Sequence, residues 1–175
     1  IPKMGATGWA YEVARQFDIR VTDTRPALVP LTFEAGLLET LIPLAGVAVD
    51  ARVASAPEGA KARKASFSEA MLFTHRGLSG PSILQISSYW REGDEIRVDM
   101  APGVDALAAL KAARTATPRQ AVATVLSTLL PKRVAQLIAD DEEGAPESKR
   151  GGNIADCSDK VLGRLAAAVN AWTFK

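Results

Sequence analysis

Near residue 103 the spacing of apolar residues changes from two to between three and four, and this switch limits the chain to a β-rich part followed by a helical one. Before the switch, GVAVDARVA (46–54) places Val47, Val49, Ala51 and Val53 on one face of a strand. ARKASFSEAMLFTH (62–75) reads as a return strand, with PEG at 57–59 as the turn. Gly93-Asp94 marks a further turn before EIRVDMA (95–101). IRVTDT (19–24) alternates in the same way, and ALVPLTF (27–33) is a short apolar strand interrupted by Pro30. Short strands with turn residues between them predict a small barrel or sandwich.

After the switch, VDALAALKAAR carries Leu107 and Leu110 three apart. Thr117-Pro118 reads as an N-cap with proline at the first helical position, opening a helix with Val122, Val125, Leu126 and Leu129 on one stripe. Leu130-Pro131 opens a third, short helix with Val134, Leu137 and Ile138 inward. Ser158 suits the N-cap of a last helix bearing Val161, Leu165, Val169 and Trp172. DDEEGAPESKRGGN (140–153) reads as a solvated loop. An amino-terminal helix, with Thr7 as cap and Tyr11, Ala14 and Phe17 at helical spacing, ends near Asp18.

The expected fold is therefore α+β with two subdomains. A β-barrel unit covers 19–102 and is closed by 171–175, a helical unit covers 103–170, and the helix of 1–18 stands apart. Formal net charge is +1, from 21 basic and 20 acidic side chains, which counts against nucleic acid as a main partner. LLETLIPLAGVAVD is broken by Glu39, Pro43 and Gly46, so no membrane span is expected. A single cysteine, Cys157, permits no intrachain disulfide and no cysteine zinc cage, and a cytoplasmic location fits best. No metal site is expected.

Three stretches are candidate sites. LFTHRGLSGPSILQISS (72–88) holds the only histidine, His75. It reads as a strand-to-helix corner in which Ser79 or Gly80 caps a helix beginning at Pro81, with Ile83, Leu84 and Ile86 inward. Such a corner turns N–H groups toward an anion or cofactor edge, with His75 as proton donor or hydrogen-bond partner. Equally, it is a tight corner in which His75 bonds a nearby carbonyl. A catalytic triad is rejected because Ser79 lacks a G-x-S-x-G elbow, and a P-loop because no Gly-Lys-Ser/Thr follows. In GATG (5–8), Gly5, Thr7 and Gly8 let a ligand approach the backbone or merely cap a helix. Arg25, within TRPALVPL, clamps a carboxylate or is a solvated edge charge.

In their order, IPKMGATGWAYEVARQF, TRPALVPL and LFTHRGLSGPSILQISSYW resemble bacterial flavoproteins of the BaiN type. That group comprises NAD(P)/FAD-dependent oxidoreductases and aminoacetone-oxidase-like FAD-binding enzymes. The resemblance implies a Rossmann-like FAD domain split by an insert, itself a small Greek-key β-barrel interrupted by a helical bundle. This chain would be that insert plus one helix of the flavin domain. The fingerprint G-x-G-x-x-G is absent from it, so the resemblance implies that FAD is held mainly by the rest of the polypeptide and that the piece alone is inactive. Gly5, Thr7 and Gly8 match a segment near the flavin, although Trp9 and Ala10 replace its Asp-Gly pair. His75, Ser79 and Gly80 match a signature turn that faces the flavin domain. The implied partners are that domain, a small-molecule substrate and NAD(P)H as electron donor. Two other classes stay open: a nucleic-acid or protein-interaction module with a translation-factor-like barrel and bundle, and a spacer that only orders domains.

Overall fold

In a computed structural model, residues 5, 7–56, 64–141 and 152–175 are described. Among the described residues six strands form one antiparallel sheet: β1 (Leu31–Thr32), β2 (Ala48–Ala56), β3 (Ala65–Thr74), β4 (Gly77–Ser79), β5 (Glu95–Asp99) and β6 (Trp172–Phe174). Their spatial order is β1-β4-β3-β2-β5-β6. Three consecutive strands, β2 to β4, are joined in sequence and β1 returns beside β4, which is the Greek-key arrangement. The sheet curls until its two edges meet through side chains: Phe33, just after β1, packs edge-on against Phe174 of β6 at 4.9 Å between ring centres.

The period-two pattern explains which face is inside. Val49, Ala51 and Val53 of β2, Met71 and Phe73 of β3, and Ile96 and Val98 of β5 are buried. Burying each of the larger of these side chains stabilises the fold by about 1.5–3 kcal/mol relative to exposure. α3 (Pro81–Ile86) adds Ile83 and Ile86 to the same core.

A helical bundle interrupts the barrel between β5 and β6. It comprises α4 (Ala106–Ala116), α5 (Val122–Leu126), α6 (Lys132–Asp140) and α7 (Asp159–Asn170). Asp105 caps α4 by accepting from the Ala108 N–H at 3.0 Å, and Ser158 caps α7 by accepting from the Val161 N–H at 3.3 Å. Between α5 and α6 two successive turns close through Thr128 N–H to Val125 O and Leu129 N–H to Leu126 O. Val122, Val125, Leu126, Val134, Leu162, Leu165 and Val169 form its buried centre. Arg133 of α6 donates to the carbonyls of Pro43 and Ala45, at the end of α2 (Ala35–Leu41) and the 3-10 turn Ile42–Leu44, and so ties bundle to barrel.

Several local expectations are corrected. IRVTDT forms no strand: 19–24 is irregular and mostly exposed, because alternation makes a strand only where a neighbour supplies hydrogen bonds. ALVPLTF retains only β1, beyond Pro30, since proline has no N–H for a ladder. Thr117 ends α4 instead of capping α5, its hydroxyl donating to Ala113 O at 3.1 Å. α5 starts at Val122, because Ala121 bridges Asn153 and the Val122 N–H bonds Gly152 O. In α6, Ala135 and Ala139 are buried while Leu137 and Ile138 are half-buried. Trp172 belongs to β6 and not to the last helix. The amino-terminal helix is α1 (Trp9–Gln16), with Gly8 at its N-cap and Thr7 Oγ1 accepting from Trp9 N–H. The PEG turn and most of 140–153 lie outside the described residues.

α4 and α7 are also joined by charge. Arg114 donates to Asp159 at 2.7 Å and to Cys157 O at 2.9 Å, while Lys111 lies 3.6 Å from Asp159. The Arg114 hydrogen bond, then the charges of Lys111 and Arg114, hold the Asp159 carboxyl below the usual carboxylate range. A depressed folded pKa adds stability that is present above the ordinary carboxylate pKa and lost as pH falls through the folded value. The stability difference between the wild type and Asp159→Asn is therefore expected to vanish in acid and to shrink in high salt, the group being exposed. Thermal melts across pH and salt check this; a difference that persists in acid would contradict it.

Candidate functional site

His75 does not sit at a strand-to-helix corner. It occupies, with Arg76, the two-residue tip of a β3–β4 hairpin, which then leads through Gly80 into α3. The hairpin is locked from within. Thr74 Oγ1 accepts from the Arg76 N–H at 3.2 Å and donates to Gly77 O at 3.0 Å. From the other side, the Phe33 N–H bonds Arg76 O at 3.2 Å. Gly77 has φ +138°, and a Cβ there would overlap the Leu31 carbonyl oxygen. Gly80 has φ +93°, and its Cβ would lie 2.7 Å from Ala70 O. Ser82, fully buried, donates to that same carbonyl at 3.1 Å.

The start of α3 is thus packed on β3, and the helix has only six residues. Ser79 and Gly80 are half-buried within this packing, with Ser79 opposite Leu72. His75 and Arg76 project from the tip of the hairpin as exposed side chains. The motif therefore combines a rigid backbone, fixed by Thr74 and Gly77, with two displayed donors.

The other candidate residues lie elsewhere. Among the described residues nothing lies within 4 Å of a Cβ added at Gly5 or Gly8. Thr7 is exposed, and α1 buries none of its residues. Arg25 lines a shallow polar cleft with Tyr11, Arg15, Thr22, Asp23 and Thr24. Among the described residues that cleft includes neither His75 nor Gly5, Thr7 or Gly8. A more apolar cavity, about 230 Å³, lies where the barrel meets the bundle, walled by Leu44, Phe73, Met100, Leu137 and Trp172 with Arg164 at its rim.

Sequence inspection missed Arg52 and Arg97. Each sits at an outward position of its strand, and both are exposed. Arg52 Nε donates to Ser66 Oγ at 3.0 Å, and Arg97 lies opposite Thr173. Alternation places each on the outer face, but only strand register makes them neighbours.

A family model described as HI0933-like protein barrel and H2TH domain matches residues 25–175. The β-barrel and the helical bundle fit that description. The ribosomal RNA dihydrouridine synthase of Escherichia coli (strain K12) is 44% identical over 136 residues, covering 78% of this chain and 32% of the relative. The ribosomal RNA dihydrouridine synthase of Haemophilus influenzae is 36% identical over 165 residues, covering 89% of this chain and 39% of that relative. The chain spans about a third of the length of the first and about two fifths of the second.

Proposed function

The chain belongs to the family of the HI0933-like protein barrel and H2TH domain, and on that premise we propose that it is the barrel-and-bundle part of a flavin-dependent reductase acting on uridine in ribosomal RNA. The observation that carries this reading is the 44% identity, over 78% of the chain, to a protein named for that reaction. The BaiN-type resemblance supports flavin and NAD(P)H as the redox partners; the names of the relatives support an RNA base, in place of a small molecule, as acceptor. The near-neutral net charge that argues against nucleic acid is a sum over the whole chain and leaves single faces free to be basic.

Dihydrouridine is uridine with hydrogen added across the C5–C6 double bond. The balance is uridine plus NAD(P)H plus a proton, giving dihydrouridine and NAD(P)+. A flavin held by the rest of the polypeptide would supply the hydride chemistry for this exchange. The described residues do not by themselves fit that cofactor. Among the described residues nothing lies within 4 Å of a Cβ added at Gly5 or Gly8, and the cavities described above are lined by neither glycine nor by Thr7. Redox chemistry is therefore assigned to the rest of the polypeptide, and substrate capture to this part. The piece alone is proposed to be inactive.

The test is to incubate the full-length protein with unmodified ribosomal RNA and NAD(P)H, then digest the RNA and weigh its nucleosides. The expected result is uridine carrying two extra hydrogens, together with flavin released on denaturation. Protein that carries no flavin, or RNA that gains no dihydrouridine, would reject the proposal.

A further inference from the structure

We infer that the outer face of the barrel centred on Arg52 and Arg97 docks the sugar-phosphate backbone of RNA. This rests on the reading that the parent protein acts on RNA.

Register fixes the geometry. Arg52 of β2 lies opposite Asp99 of β5, and Ala54 opposite Arg97, so the two arginines are diagonal neighbours on one face of adjacent strands. Such neighbours stand about 7–8 Å apart, close to the spacing of successive phosphates along an RNA strand. The side chains between and beside them are small or hydroxylic. Ser68 lies opposite Arg52, Ser66 opposite Ala54, and Thr173 opposite Arg97. No bulky group separates the guanidinium groups from a backbone laid across the sheet, and three hydroxyls can donate to it.

Charge on this face is available. Asp99, the acid opposite Arg52, forms no ion pair with it among the described residues: its Oδ1 accepts from Ala101 N–H at 3.0 Å and from Asn170 Nδ2 at 2.8 Å. Arg52 uses Nε on Ser66 and keeps its terminal nitrogens free among the described residues. Arg97 makes no side-chain hydrogen bond or ion pair among the described residues. Asp50 and Glu95 at the margins limit the positive field, so the face suits a contact with two phosphates and not a long basic track. Polyanion fits better than a protein surface. A docked protein domain buries large apolar side chains, and the exposed ones, such as Trp9, Phe17, Leu28 and Tyr89, all lie outside the sheet strands.

The experiment uses the full-length protein with Arg52→Ala, Arg97→Ala, the double alanine variant and the double lysine variant. Binding to a short oligouridine strand and to deproteinised ribosomal RNA is measured across a salt series, with thermal melts and flavin content alongside. Affinity is expected to fall about tenfold per arginine near 0.1 M salt, and the salt slope of the double variant to drop by roughly 1.4–1.8. The double lysine variant should restore most of that slope, and melting and flavin content should stay unchanged. Wild-type binding and activity with an unchanged slope in the double alanine variant would overturn the docking face while leaving the proposed function standing. Altered flavin content with an unchanged slope would instead mark this face as a contact for the rest of the polypeptide, and overturn it too. A wild type that neither binds nor modifies RNA would overturn both.

Discussion

Gly77→Ala is expected to destabilise the protein by about 3 kcal/mol, with a fall in Tm of roughly 6–12 °C. Two costs coincide at this position. The backbone stands at φ +138°, a region L residues rarely adopt. The new methyl group would also overlap the Leu31 carbonyl oxygen and lie 3.0 Å from Thr32 Cα, which are backbone atoms and cannot swing aside. Relief requires β1 to leave β4, since Leu31 pairs with Leu78 and Thr32 with Gly77. Gly93→Ala is the control: φ there is also positive, +90°, but nothing lies within 4 Å of the added carbon. It should cost only about 1 kcal/mol, the conformational part. Denaturant titration of both variants separates the two costs; equal losses would mean that the β1–β4 contact is looser than drawn.

Asn170→Ala should cost about 2–3 kcal/mol, from the junction of bundle and barrel. Asn170, at the end of α7, accepts from the Ala106 N–H at 3.0 Å and donates to Asp99 at 2.8 Å. Ala106 is fully buried at the start of α4, so the alanine variant leaves its N–H without an acceptor. Asp99 at the same time loses one of its two donors. The double variant Asp99→Ala/Asn170→Ala should cost less than the sum of the single losses, because the two residues share one interaction. Strict additivity in the denaturation midpoints would show that the junction is held elsewhere, with Arg133 and its two carbonyls the next place to look.

What the sequence by itself determined is what depends on near neighbours along the chain. The alternation Val49, Ala51, Val53 marked a strand face, the spacing of Leu165 and Val169 a helix face, and Ser158 caps as short-range hydrogen bonding requires. The α+β class and the interruption of a barrel by a bundle follow from the order of those periodicities and the family resemblance. Tertiary structure decided everything that needs a distant partner. IRVTDT alternates as well as GVAVDARVA does but finds no neighbouring strand, so it stays irregular. Thr117-Pro118 has the look of a helix start, yet Asn153 and Gly152, more than thirty residues away, set the start at Val122.

His75 was legible as a residue of interest but not as a hairpin tip, because the turn is fixed by a glycine that must admit the Leu31 carbonyl from another strand. Arg52 and Arg97, forty-five positions apart, carry no shared signal in the sequence. A strand's own pattern gives the face on which a side chain projects; only the hydrogen-bonded register of β2 on β5 gives the residue beside which it stands.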